Sequence, residues 1–161
     1  MSKILIALDE STVATGWSVF KDEKLIDYGV FKEKSKNVIE RISNISKSVD
    51  ELLDKYTPDN LAIENVQITL SAPTAKSLMG LQTILELKAF ERNINYELIR
   101  TTSWRKILGL SNNPKLKRQE KKQETIDYVN KKYGLNETSN DICDSIAIGT
   151  AFIIEKKSGQ V

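Results

Sequence analysis

A chain of 161 residues, 40% hydrophobic and 29% charged, has the size and make-up of one soluble domain with a single core. Its formal net charge is +2, and no run approaches the roughly 20 apolar residues of a membrane span. Histidine is absent and cysteine occurs once, at Cys143, which excludes a Ser-His-Asp triad, a Cys-His pair, His-ligated zinc and an internal disulfide. The lone cysteine and an N-terminus without a signal-peptide pattern predict a cytoplasmic protein.

The predicted elements begin with a buried strand over Lys3 to Leu8 and a polar, turn-like stretch from Asp9 to Thr15. Gly16 to Phe20 starts a second strand, Lys21 to Lys24 reads as a hairpin turn, and Leu25 to Phe31 as a third strand. The period then changes. Val38, Ile42, Ile45, Val49, Leu52 and Tyr56 recur at helical spacing and stop before Pro58. Asn60 to Glu64 is a short fourth strand, and Pro73 suits the first turn of a helix running to about Arg92. Tyr96 to Ile99 gives a fifth strand, followed by a short helix near Ser103 to Leu108 and a polar loop. A charged helix from about Lys117 to Tyr133 and a last helix from Asp141 to about Lys156 close the chain. Hairpin-linked strands followed by helix-linked strands predict an α/β fold. The expected sheet is mixed and five-stranded, its first three strands antiparallel, with helices packed on it and the first and fourth strands adjacent.

Four carboxylates stand out against that frame. Asp9 follows the apolar run Ile4 to Leu8, Glu64 ends Leu61 to Ile63, and Asp141 and Asp144 share one face of the apolar last helix. Each alone also fits a local role: a turn residue, a strand end, a helix-start acid. Asp144 is the hardest to place that way, because a buried aspartate needs a partner. Brought together, four carboxylates repel one another unless a divalent cation reverses the balance. With no histidine available, Mg²⁺ or Mn²⁺ is the ion such a set favours.

Charge is unevenly spread. Residues 100–122 hold eight basic side chains against Glu120 alone, a block that fits a polyanion such as a nucleic acid or, equally, a solvated helix face. Arg105, Lys106, Lys115, Lys117, Arg118, Lys121 and Lys122 are the candidate polyanion contacts. Residues 32–55 are nearly balanced, six basic against five acidic. Leu78, Met79, Leu81 and Leu85 on the second long helix are candidate dimer-interface residues, with core packing an equal alternative.

The chain resembles the RuvC-like Holliday junction resolvases of the ribonuclease H-like superfamily, most closely their phage-encoded branch. The resemblance rests on Asp9 followed seven residues later by Gly16, on Leu61-Ala-Ile-Glu64-Asn-Val66, and on Asp141-Ile-Cys-Asp144-Ser-Ile-Ala-Ile-Gly149. It also rests on the basic segment Arg100 to Gln123, and it spans essentially the whole chain as one nuclease domain, 1–161. It implies a ribonuclease H-like fold with Asp9, Glu64, Asp141 and Asp144 as catalytic ligands of two Mg²⁺ ions, Mn²⁺ being able to substitute. It further implies two-metal hydrolysis of branched DNA, Holliday junctions foremost and replication forks or other branches besides, by a homodimer, in a host cytoplasm if phage-encoded. Lys121 and Lys106 fall where the family contacts the scissile backbone. Two positions depart: Ser11 replaces a glycine common two residues after the first aspartate, and Gln67 replaces an aromatic side chain. Two other readings are a non-catalytic branched-DNA-binding module and a ribonuclease H-like nuclease with another substrate.

Overall fold

The computed structural model describes residues 2–67 and 71–159. Five strands, β1 (Ile4–Asp9), β2 (Ala14–Lys21), β3 (Lys24–Lys32), β4 (Asn60–Glu64) and β5 (Asn95–Ile99), form one sheet in the order β3-β2-β1-β4-β5. β1 and β2, and β2 and β3, pair antiparallel, whereas β1, β4 and β5 run parallel. This is the mixed sheet the hairpin-then-crossover order predicts. The β2–β3 turn is made by Asp22 and Glu23, both at positive φ (47° and 71°), the backbone that a tight two-residue hairpin requires.

Strict alternation along the inner strands divides the core. Ile6, Leu8, Leu61 and Ile63 face one way, against α1 (Val38–Tyr56) and α2 (Ala72–Glu91). Leu5, Ala7 and Ala62 face the other way, against α3 (Thr101–Ile107), α4 (Arg118–Tyr133) and α5 (Asn140–Ser158). α1 starts where Asn37 Oδ1 accepts from the backbone N–H groups of Ile39 (2.9 Å) and Glu40 (3.3 Å), and its apolar positions are those the periodicity picks out. Among the described residues, no helix is long and apolar enough to cross a membrane.

Helix α5 lies directly on β2, and small residues on both elements let it approach. A methyl group on Gly16 would stand 1.9 Å from the Asp141 carbonyl oxygen, and one on Gly149 would stand 2.3 Å from Phe20 Cε2. Ser18 Oγ donates to the Ser145 carbonyl (2.9 Å) across the same buried seam. Neither side chain could grow without lifting the helix off the sheet.

Some expected boundaries move. β1 ends on Asp9 rather than Leu8, so the aspartate is still a ladder residue, opposite Gly16. α5 starts one residue early because Ser139 caps it, its Oγ accepting from Ile142 N (3.3 Å). One expectation is corrected: Leu81 and Leu85 are fully buried in the core and cannot form an interface, whereas Met79, Leu87 and Phe90 point outward on α2. Cys143 is buried in the core, as a small packing residue would be.

Candidate active site

The parallel pairing of β1 with β4 sets Leu8 opposite Ile63, so the strands end side by side on Asp9 and Glu64. By alternation both side chains fall on the face of Ala7 and Ala62, the face α5 covers. Gly16 is the register partner of Asp9, and the close seat of α5 over that glycine delivers Asp141, and Asp144 one turn later, to the same place. All four acids line one open cavity of about 910 Å³.

Its electrostatics are those of crowded carboxylates. Burial pushes the Asp9 carboxyl well above its ordinary value, and the negative charges of Glu64, Asp144 and Asp141 push the same way. Asp9 also lies near enough to Glu64 to share a hydrogen bond with it. Burial, then Glu64 and Asp141, raises Asp144 to about 7, against the opposing pull of Arg105 and Lys122. Burial raises the neighbouring Glu10 to about 9, with Glu64 and Glu86 adding to it. Glu64 itself is held from α3: Thr101 Oγ1 and Trp104 Nε1 (3.3 Å) both donate to its Oε1.

These residues suit a hard divalent cation. The donors are all carboxylate oxygens, with neither nitrogen nor thiolate among the four, and a cation would remove the repulsion that now favours protons on Asp9 and Asp144. Among the described residues, no three acidic, histidine or cysteine side chains are already gathered to metal-holding distance. The acids surround the cavity, still feeling one another's charge, without converging on a point.

The rest of the lining includes basic residues. Arg118, Lys121 and Lys122 line the cavity from the start of α4, and Lys122 Nζ reaches Asn140 Oδ1 (3.4 Å) beside Asp141. Lys106, Lys115 and Lys117 are exposed but lie outside the cavity lining. Arg105 also lines the cavity, but from a buried position. It is only 4% exposed, and its guanidinium is spent inside the protein: Nε on the Ser111 carbonyl (2.9 Å), Nη1 on Thr125 Oγ1 (2.9 Å) and the Lys121 carbonyl (3.2 Å), and Nη2 on Glu124. It ties α3, the following loop and α4 together, and is not free to meet a phosphate. Thr101, Trp104 and Glu10 escaped the sequence reading, although the pair Asp9-Glu10 after an apolar run was a visible signal.

A family model described as crossover junction endodeoxyribonuclease RuvC matches residues 5–151. The chain belongs to this RuvC family. A curated RuvC from Alkaliphilus metalliredigens is 34% identical over 77 residues, 45% of this chain and 47% of the relative. One from Fusobacterium nucleatum is 25% identical over 151 residues, 89% of this chain and 76% of the relative. The chain spans about half the length of the first curated RuvC relatives it matches, 47% to 51%. The structure of Thermus thermophilus RuvC in complex with Holliday junction substrate has a TM-score of 0.78 at 17% identity, covering 97% of this chain and 96% of that one. At that identity the likeness establishes the RuvC fold.

Proposed function

We propose that this protein is a metal-dependent endodeoxyribonuclease that binds branched DNA, four-way junctions foremost, and hydrolyses phosphodiester bonds in it. The observation that carries this reading is the placement of Asp9, Glu64, Asp141 and Asp144 around one cavity that Arg118, Lys121 and Lys122 also line. Membership of the RuvC family supports the substrate. Relatives named crossover junction endodeoxyribonuclease, and a related fold solved with a Holliday junction, point the same way.

Asp9, Glu64, Asp141 and Asp144 would hold two Mg²⁺ ions, with Mn²⁺ able to replace them. Bound there, the ions supply an activated water and neutralise charge on the scissile phosphate and the leaving oxygen. The chain's own part is placement. β1 and β4 fix Asp9 and Glu64 relative to each other through the ladder, Thr101 and Trp104 hold the Glu64 carboxylate, and the Gly16 seat fixes the start of α5. Arg118, Lys121 and Lys122 receive the DNA backbone, and their charge compensates phosphates as counterions leave. Gln67, exposed at the cavity mouth, donates to Thr101 Oγ1 (3.1 Å) where the family resemblance has an aromatic side chain. This polar contact favours recognition of branch shape over base stacking.

Two symmetric cuts need two such sites, and therefore a two-fold homodimer. The outer face of α2, with Met79 54%, Leu87 51% and Phe90 74% exposed, is the apolar surface available for it. A DNA substrate and a single free thiol support a cytoplasmic location.

Substituting Glu64→Gln tests the catalytic reading. Cleavage of a mobile four-way junction with Mg²⁺ should fall at least about 100-fold, more than loss of an outer partner of a metal ligand costs. Binding of the same junction in Ca²⁺ should change less than about threefold. Undiminished cutting by the variant, or a wild type that never cuts junctions with Mg²⁺ or Mn²⁺, would sink the assignment. Parallel assays on a fork and an RNA–DNA hybrid settle substrate preference.

A further inference from the structure

Glu10 is the most anomalous side chain in the molecule. It is 8% exposed, yet neither carboxylate oxygen has a hydrogen-bond partner among the described residues. An unpaired buried carboxylate is among the costliest groups a fold can retain. Its surroundings make matters worse, since the negative charges of Glu64 and Glu86 add to the cost of burial. It nevertheless lines the same cavity as the four acids.

Its neighbours are already accounted for. Glu86 Oε1 accepts from Gln82 Nε2 (3.3 Å), and Glu86 also interacts with the Tyr96 hydroxyl. Gln82 Oε1 in turn accepts from Val66 N (2.9 Å). Glu64 is bonded by Thr101 and Trp104 through Oε1. No donor is left over for Glu10 within this network. Glu64 ends β4 and Glu86 lies on α2, so the negative charges that act on Glu10 come from the β4–α2 side.

From the two partnerless oxygens and their place in the cavity, we infer that Glu10 is a fifth cation-binding carboxylate, serving the divalent ion on the Glu64 side. This rests on the metal-dependent reading above, and adds to it a ligand outside the four acids of the family pattern. A hard divalent cation satisfies what the protein leaves open: it meets oxygen donors without needing a hydrogen, and it offsets the charges of Glu10 and Glu64 together. Glutamate at this position reaches one methylene farther than aspartate would. That length lets a residue following the end of β1 serve a site centred beside β4.

Calorimetric titration of the DNA-free protein with Mn²⁺, wild type against Glu10→Gln, reads this without reference to cleavage. Glu10→Gln should weaken one class of Mn²⁺ sites about 10-fold. It should also leave the metal-free Tm unchanged or higher, because no hydrogen bond is lost, and shrink the rise in Tm that Mn²⁺ induces. Weakening of threefold or more with an undiminished metal-free Tm supports the inference. Weakening of less than threefold overturns it, as does a Glu10→Gln chain that fails to fold or melts lower without metal, since the carboxylate would then be structural. Glu86→Gln is the control and should keep Mn²⁺ affinity within twofold; an equal loss there would mean that bulk negative charge, not ligation, is being measured, and also overturns the inference. A wild type that binds no Mn²⁺ and cuts no junction instead defeats the catalytic reading. Wild-type cutting with unaltered Mn²⁺ binding by Glu10→Gln defeats the inference alone.

Discussion

The two walls of the cavity are built on opposite principles. The acidic wall is made of core elements: Asp9 and Glu64 are ladder residues, and Asp141 and Asp144 ride on a helix seated on β2 with no room for a methyl group at Gly16. Its charges are placed by backbone packing and are mutually hostile. The basic wall consists of long side chains on the first turns of α4, reaching in from partly or fully exposed positions. On the proposed function, groups that would meet one phosphate are fixed by the main chain, and groups that would only hold a polyanion are left to flexible side chains.

Breaking the basic wall should give the largest change, and it should be confined to binding. Replacing Arg118, Lys121 and Lys122 together with alanine should lower junction affinity by roughly 10²-fold near 0.1 M salt. The slope of log K against log salt should become shallower by about 2 to 3, close to 0.9 for each lost phosphate contact. Stability should shift by no more than about 0.5 kcal/mol per site, as for surface substitutions generally. The same triple change at Lys106, Lys115 and Lys117, which lie outside the cavity lining, should cost much less affinity. Equal losses from the two sets, measured by fluorescence anisotropy across a salt series, would erase the boundary drawn around the basic wall.

Arg105 is where the two walls join, and there the expected effect is on stability. Removing it leaves Glu124 without its ion pair and Thr125, Ser111 and Lys121 without a shared donor. Because Glu124 keeps 36% of its side chain in solvent, Arg105→Ala should cost about 3 kcal/mol, the low end for a broken buried pair. A urea midpoint indistinguishable from wild type would restore Arg105 to the list of DNA contacts.

The acidic wall should break at its backbone seat. In Gly16→Ala the new methyl group meets the main chain of Asp141 and Ile142, which cannot rotate away. Overpacking of this kind costs about 1–3 kcal/mol. Cleavage should fall further than the stability loss explains, because the start of α5 carries two of the four acids. A variant that melts lower but cuts at the wild-type rate would show that the helix tolerates displacement.

What the sequence disclosed follows the same division. The acids were legible because a charged residue at the end of an apolar run, or two of them three apart on an apolar helix, breaks a pattern. The β1–β4 adjacency that joins Asp9 to Glu64 followed from the element order. The basic block was legible only as a block. Both Arg105 and Lys121 line the cavity, yet nothing in the run from Arg100 to Lys122 distinguishes Arg105, buried and bonded to Ser111, Thr125 and Glu124, from the half-buried Lys121. Thr101 and Trp104 were hidden for a related reason. Their bonds to Glu64 span 37 and 40 residues and exist only once β5 has carried α3 alongside β4. The same holds for Leu81 and Leu85, where an apolar position on α2 fits core and interface equally until the sheet is in place.

The smallest effect sharpens the contrast most, because it concerns charge on the acidic wall alone. In the metal-free protein the Asp144 carboxyl titrates at about 7, raised first by burial and then by Glu64 and Asp141, and that of Asp9 is also raised. Between the unfolded aspartate value near 3.9 and these folded values, the native state binds more protons than the unfolded chain. Stability contributed by Asp144 therefore declines as pH rises through that window and levels off above about 7. Asp144→Asn removes the titration, so the difference in stability between variant and wild type should widen in the variant's favour from pH 5 to pH 8. Mn²⁺ competes for the same oxygens, so its stabilisation of the wild type should be weaker at pH 5.5 than at pH 8. Thermal melts at matched ionic strength, with and without Mn²⁺, measure both trends. A variant-minus-wild-type difference that stays flat with pH would mean that the four acids do not share one electrostatic environment, and the acidic wall would lose the property that sets it apart from the basic one.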